Sequence, residues 1–204
     1  MNDFQKNKFT IIKNAISTEL AEFIYNYFIL KRKVAHTLYT SNFLETNSSI
    51  FGKWNDKQVL NTYSHYSDIA METLLVKLHP KMEEQTGLKL FMNYSYARLY
   101  LNNDELKKHK DRFACEISTT LRLGGDPWTI YLQTKENEAQ GVNLNIGDML
   151  VYKGNELEHW REPFEGEQCG QVFLHYTDVN TKDAEKNKFD TRPHLGLPHE
   201  FTSD

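Results

Sequence analysis

The chain has 204 residues, 24 of them Lys or Arg against 28 Asp or Glu, for a formal charge of −4, with 39% hydrophobic and 25% charged residues. That size and apolar content fit one globular domain with a sizeable core and exclude wholesale disorder, and the slight acidity argues against a surface built to track phosphate backbones. No run approaches the roughly 18 apolar residues that span a bilayer, the start MNDFQKNKFTIIKNAI lacks a secretory apolar stretch, and Cys115 and Cys169 make at most one bridge, so a soluble chain in a reducing, cytoplasmic setting is expected.

In chain order, Phe9-Thr10-Ile11-Ile12 reads as a short strand. Ser17 then starts a helix, with Leu20, Phe23, Ile24, Tyr27 and Phe28 at amphipathic spacing and an end near Lys31. Residues 34–65 hold no sustained period and read as a substrate-side loop, mobile without substrate and rich in aromatic residues such as Tyr39, Phe43, Phe51 and Trp54. A second helix follows from Ser67, with Ile69, Leu74, Leu75, Leu78 and Met82 inward, kinked by Pro80 and stopped by Gly87.

From Leu88 the period shifts toward 2, predicting strands over residues 89–101, 115–123, 128–133, 149–152 and 171–176, with turns at 124–127, 139–141, 146–148 and 164–166. The expected organisation is a single domain over 1–204: a helical buttress and loop in 1–87, a β core in 88–178 and an irregular tail in 179–204. Short strands stacked behind two helices predict a mainly β fold with N-terminal helices, of the double-sheet jelly-roll kind.

Of the eight histidines, His109 is the one followed two places on by a carboxylate, Asp111. In an extended segment residues i and i+2 share a face, so the imidazole and the carboxylate can converge. A third ligand from a distant strand would complete the two-histidine, one-carboxylate set that leaves three positions open on a non-haem iron. Chance alone gives about one such tripeptide in a chain of this composition, so its context must carry the argument. The tripeptide lies between a strand ending Ala97-Arg98-Leu99-Tyr100 and one beginning near Cys115, and forty-eight residues after Asp111 a Gly147-Asp148 turn and a short apolar strand lead to His159.

In this order of elements the chain resembles the Fe(II)/2-oxoglutarate-dependent dioxygenases, in the branch similar to prolyl hydroxylases. The resemblance covers about residues 88–178: Tyr100 ahead of the motif, His109-x-Asp111, the Gly147-Asp148 turn, His159 and a last strand containing Gln171 to Tyr176. It implies a double-stranded β-helix core with iron held by His109, Asp111 and His159, 2-oxoglutarate as co-substrate and dioxygen as oxidant. The implied reaction hydroxylates a C–H bond of a protein side chain, prolyl included, or of a small molecule, with succinate and CO2 as by-products. No nucleic-acid or membrane partner is implied.

One element of the branch is missing. A basic residue usually follows the distal histidine by nine or ten places, where this sequence has Gln168 and Cys169. Two neutral imidazoles and one carboxylate leave Fe(II) with one net positive charge, so the far carboxylate of 2-oxoglutarate needs its own cation, best an arginine fork. Arg161 shares a face with His159, one pleat away at about 6–7 Å; Arg122 lies on the polar face of Glu116, Ser118 and Thr120; Arg98 shares a face with Tyr96 and Tyr100. Tyr100 is a further candidate hydroxyl for the co-substrate, and Glu116 and Arg112 are candidates to orient Asp111 or a histidine ring. The missing basic residue also keeps two other readings open, a cupin-like metal oxygenase that needs no 2-oxoglutarate and a non-catalytic jelly roll that binds nothing at its histidines.

Overall fold

In the computed structural model, residues 2–134 and 138–203 are described. A short helix, α1 (Asp3–Asn7), precedes strand β1 (Phe9–Ile12), and the first long helix, α2, spans Thr18–Thr40, with the Ser17 hydroxyl accepting the Leu20 N–H as its cap. This helix runs past the expected end at Lys31. Its buried stripe of Ala21, Ile24 and Phe28 continues through Ala35 and Tyr39, so the core keeps a face for two more turns to cover. Asp68 caps α3 (Ile69–Thr86) by accepting the N–H groups of Ala70 and Met71, and Gly87 closes it at φ +71°. Pro80 lies inside α3 without ending it, and Leu74, Leu75, Leu78 and Met82 are buried as expected, whereas Ile69 is 71% exposed because the inward stripe begins at Met71.

The remaining strands are β2 (Tyr63–Tyr66), β3 (Leu90–Leu101), β4 (Leu106–His109), β5 (Ile117–Gly125), β6 (Ile130–Gln133), β7 (Ala139–Val142), β8 (Met149–Lys153), β9 (His159–Arg161) and β10 (Gln168–Asp178). They form two antiparallel sheets, one in the order β1-β8-β5-β10-β3-β2 and one in the order β4-β9-β6-β7. The fold is mainly β. Residues 139–141, expected as a turn, are part of β7, and residues 113–115 form a 3-10 turn so that β5 starts at Ile117. The front of the chain supplies both edges of the large sheet, β1 and β2.

Strand alternation divides the large sheet into two faces. Ala97, Leu99, Leu121, Leu123, Met149, Val151, Val172 and Leu174 form one core with α2 and α3. The opposite face is more polar, and register aligns its residues in ranks: Tyr94–His175–Ser118–Tyr152 in one, Arg98–Gln171–Arg122 in another. The small sheet contributes Ile130, Leu132 and Val142 to a second cluster with Leu150 and Tyr152.

Beyond β10 the chain turns through 3-10 segments at Ala184–Thr191 and His199–Phe201. Arg192 ties this region down: its guanidinium, fully buried, donates to Glu72 on α3 at 2.8 Å and to the Asn93 carbonyl at 3.1 Å. No helix among the described residues is long and apolar enough to cross a membrane.

Candidate metal centre

Two strand ends and a turn assemble the site. His109 closes β4 and His159 opens β9, and the two are direct partners across the strand pair, their ring centroids 4.3 Å apart. Asp111 follows in the turn after β4, whose backbone is fixed by donation from the Asp111 N–H to the Gly154 carbonyl at 2.9 Å. Asp111 Oδ1 then stands 3.6 Å from His109 Nε2 and 3.5 Å from His159 Nε2. One ligand atom from each of the three residues lies within 4.8 Å of the other two.

Local hydrogen bonds set the protons. His109 Nδ1 donates to the Lys107 carbonyl at 2.7 Å and His159 Nδ1 to the Leu157 carbonyl at 3.0 Å, so each neutral ring keeps its lone pair on Nε2, the atom a metal would use, and each protonated ring turns an Nε2–H to Asp111. Burial pushes the Asp111 carboxyl pKa up, but the histidine contacts outweigh it and hold the group well below the ordinary carboxylate range. Burial pulls His109 down, while Asp111 and the Lys107 carbonyl leave it net raised. Two imidazole nitrogens and one carboxylate oxygen, converging and bordered by an open cleft, fit a divalent first-row metal that keeps positions free.

Asp111 is oriented by residues outside the expected set. Its Oδ2 accepts from the Ser118 hydroxyl at 2.6 Å, and Gly154 lies directly against it. Glu116 instead binds Lys153, the Asp178 N–H and Thr181, and Arg112 binds Asp190, so neither expected partner touches Asp111. The physical reason is local: Glu116 lies in the turn before β5, off the alternation that carries Ser118 inward. Ser118 was visible on that polar face; Gly154 had no signal beyond a turn.

A cleft of about 320 Å³ opens on the triad, lined by Gln58, Tyr94, Arg98, Phe173 and His175 among others. Of the segment after α2, Gln58 lines this cleft. Gln58 places its amide nitrogen 2.7 Å from His109 Nε2, while Arg98 donates to Gln58 Oε1 at 2.7 Å and to Asp56 Oδ2 at 2.6 Å. Trp54 anchors the same segment by packing on Tyr39 and Tyr63; Phe43 is 76% exposed and takes no part. His175, buried on β10, has its pKa lowered to about 4 by desolvation and is neutral near pH 7.

The three arginines have different surroundings. Arg98 is already paired with Asp56. Arg122 donates to the Leu144 and Gly125 carbonyls and thereby pins two turns, with its Nε unpartnered and no carboxylate paired to it among the described residues. Arg161 is 1% exposed, donates to the Trp128 carbonyl at 2.5 Å and the Thr120 hydroxyl at 3.3 Å, and lies 5.0 Å from the Trp128 ring. Its Nε has no partner, no carboxylate neutralises it among the described residues, and desolvation lowers its pKa. Tyr100 is buried beside it, edge-on to Trp128, with its hydroxyl accepting from Arg98 at 3.3 Å. At the late positions Cys169 is buried beside Gln171, and Gln168 accepts from Tyr25. Both cysteines are free, and Trp160 stacks on Tyr131.

No protein-family model and no curated protein matches the chain by sequence. Solved structures do match by fold. A prolyl-4-hydroxylase from Pseudomonas putida superposes with a TM-score of 0.63 at 13% identity, over 87% of this chain and 96% of that one. HygX from Streptomyces hygroscopicus, solved with nickel, 2-oxoglutarate and hygromycin B, gives 0.61 at 11% over 87% and 85%. A Trichoplax adhaerens prolyl hydroxylase, in complex with a hypoxia inducible factor peptide fragment, gives 0.59 at 13% over 86% of each chain.

Proposed function

We propose that this chain is an Fe(II)- and 2-oxoglutarate-dependent oxygenase that hydroxylates a C–H bond of a protein side chain or small molecule, its two sheets forming a double-stranded β-helix. The observation that carries the reading is Arg161, a buried guanidinium without a carboxylate, two residues beyond a histidine of the triad. Leaving such a charge unpaired is costly, and an anionic ligand resolves it. A cupin-like centre without 2-oxoglutarate, or an inert jelly roll, has no use for that cation.

His109, Asp111 and His159 would hold the iron, at which dioxygen would be the oxidant, taking two electrons from the decarboxylation of 2-oxoglutarate to succinate and CO2 and two from the substrate C–H bond, with one oxygen atom entering succinate and the other the product. Arg161 binds the far carboxylate of the co-substrate through its free donors, and the Tyr100 hydroxyl stands nearby to add a hydrogen bond. Trp128 and Phe164 pack at 5.1 Å beside this end and keep water from competing for the guanidinium. Tyr94, Phe173 and Gln58 border the cleft where substrate enters. Among the structural neighbours one was solved with a peptide and one with hygromycin B, so both substrate sizes suit the fold.

Anaerobic addition of Fe(II) and 2-oxoglutarate should produce the weak visible charge-transfer band of the chelate, lost in His109→Ala. Iron binding without the band supports the cupin-like alternative, and no iron binding supports the inert one.

A further inference from the structure

The hydrogen bonds around Asp111 reach one residue further than its contact with Ser118. The Ser118 Oγ lies 2.6 Å from Asp111 Oδ2, 3.0 Å from the Cys115 carbonyl and 3.1 Å from His175 Nδ1. A hydroxyl has one proton and two lone pairs. If His175 Nδ1 were bare, Ser118 would have to donate to it, and an oxygen lone pair would face the carboxylate oxygen at 2.6 Å without a proton between them. The arrangement with least repulsion is directional: His175 Nδ1–H donates to Ser118, and the single Ser118 proton goes to the nearer and charged Oδ2, with the Cys115 carbonyl at 3.0 Å sharing it at most weakly.

Sheet register fixes this chain of bonds. His175 and Ser118 are direct partners across β10 and β5, and Tyr94 is His175's partner on the other side, its ring 4.5 Å away at a 33° tilt. His175 is 7% exposed and packed on Tyr94, which restrains its ring. At the other end, Oδ2 is occupied while Oδ1 faces both Nε2 atoms. A carboxylate free to pivot could offer both oxygens to one cation; this one offers a single oxygen.

We propose that Ser118 and His175 are positioning residues that restrict Asp111 to one metal-facing oxygen, keeping a further coordination position free for co-substrate or dioxygen. The proposal rests on the metal site proposed above. It assigns to the last strand of the barrel a role in metal binding, although His175 itself ligates nothing.

Cobalt(II) binding to the whole protein, followed by its visible spectrum and by competition with a chelator, tests both levels without turnover. Wild type should bind cobalt and His109→Ala should bind it far more weakly; if wild type does not bind, or His109→Ala binds equally, the metal site and the relay fall together. With that site present, Ser118→Ala and His175→Leu should each raise the cobalt dissociation constant about 10- to 100-fold and change the cobalt band intensity, which reports coordination number. His175→Asn, whose amide N–H can replace Nδ1–H, should restore most of both. If Ser118→Ala and His175→Leu match wild type in affinity and spectrum while His109→Ala does not, the relay is wrong and the metal site stands. If His175→Asn behaves as His175→Leu, the ring acts only by packing on Tyr94 and the relay is again overturned. Thermal melts accompany each variant, and an unfolded His175→Leu leaves Ser118→Ala, a smaller change, to decide.

Discussion

A Cβ built on Gly154 would lie 2.4 Å from Asp111 Oδ2 and 2.4 Å from the Ser118 hydroxyl. The close approach, not backbone flexibility, demands glycine here, since 2.4 Å is well inside van der Waals contact and the Cys115 carbonyl blocks retreat at 2.7 Å. Gly154→Ala should displace the Asp111 carboxylate and weaken metal binding about 10- to 100-fold, with a stability loss of about 1–3 kcal/mol from overpacking. Metal titration beside a thermal melt checks both; unchanged metal affinity would mean that Asp111 has room to move.

Arg161→Ala should weaken 2-oxoglutarate binding by about 2–4 kcal/mol, roughly 30- to 1000-fold, with iron binding nearly intact. Arg161→Lys should recover only part, because an ammonium cannot reproduce the fork. Arg122→Ala is the contrast: its Nε is also unpartnered, but its two terminal nitrogens donate to the Leu144 and Gly125 carbonyls, which tie turns together, so its loss should lower the melting temperature and leave co-substrate affinity close to wild type. Calorimetric titration of the metal-loaded protein decides, and equal losses at both positions would move the clamp away from Arg161.

Legibility from sequence followed the range of the physics. The triad residues stand two apart in one turn or at the start of a strand, so spacing and alternation brought His109, Asp111 and His159 into view. The inward face of β5 was legible for the same reason, down to Ser118 and Arg122. What escaped depends on contacts between distant segments. Nothing near Gly154 says that a carboxylate will lie against it, and nothing near Asp56 says that it will pair with Arg98. The late end of α2 was missed because three basic residues interrupt its apolar stripe before Ala35 and Tyr39 resume it.

The segment that brings Gln58 to the cleft is held at its centre by one buried ion pair. Arg98 and Asp56 are 7% and 8% exposed, and the same aspartate accepts from Tyr96. Asp56→Asn leaves Arg98 buried beside a neutral group and should release residues 53–60, since breaking such a pair costs about 3–5 kcal/mol. Hydrogen exchange should accelerate there by two or more orders of magnitude and stay slow in β3 and β5. Acceleration throughout both sheets would show that the pair supports the whole fold.

Asp68 gives the protein an acid limit. Burial pushes its carboxyl up, but hydrogen bonds from His65, Lys31 and Tyr27 outweigh that and hold it well below the ordinary carboxylate range. The unfolded chain therefore takes up the proton first. The stabilisation is complete above about pH 4 and is lost as pH falls through the folded-state value, at ~1.4 kcal/mol for each unit of depression. Asp68→Asn, which can still cap α3, should be much less stable than wild type near pH 6 and approach it near pH 2. Denaturant melts across that range test the sign; a gap that widens toward acid would contradict it.

The three tryptophans happen to fall in three separate compartments. Trp54 lies in the segment after α2, packed on Tyr63, Trp128 lies against the Arg161 guanidinium, and Trp160 is stacked on Tyr131 next to His159. The protein thus carries its own set of fluorescent reporters. With two of the three replaced by phenylalanine, the emission of the one remaining would follow movement of the segment after α2, occupation of the guanidinium or metal loading, each as a separate optical signal without an attached dye.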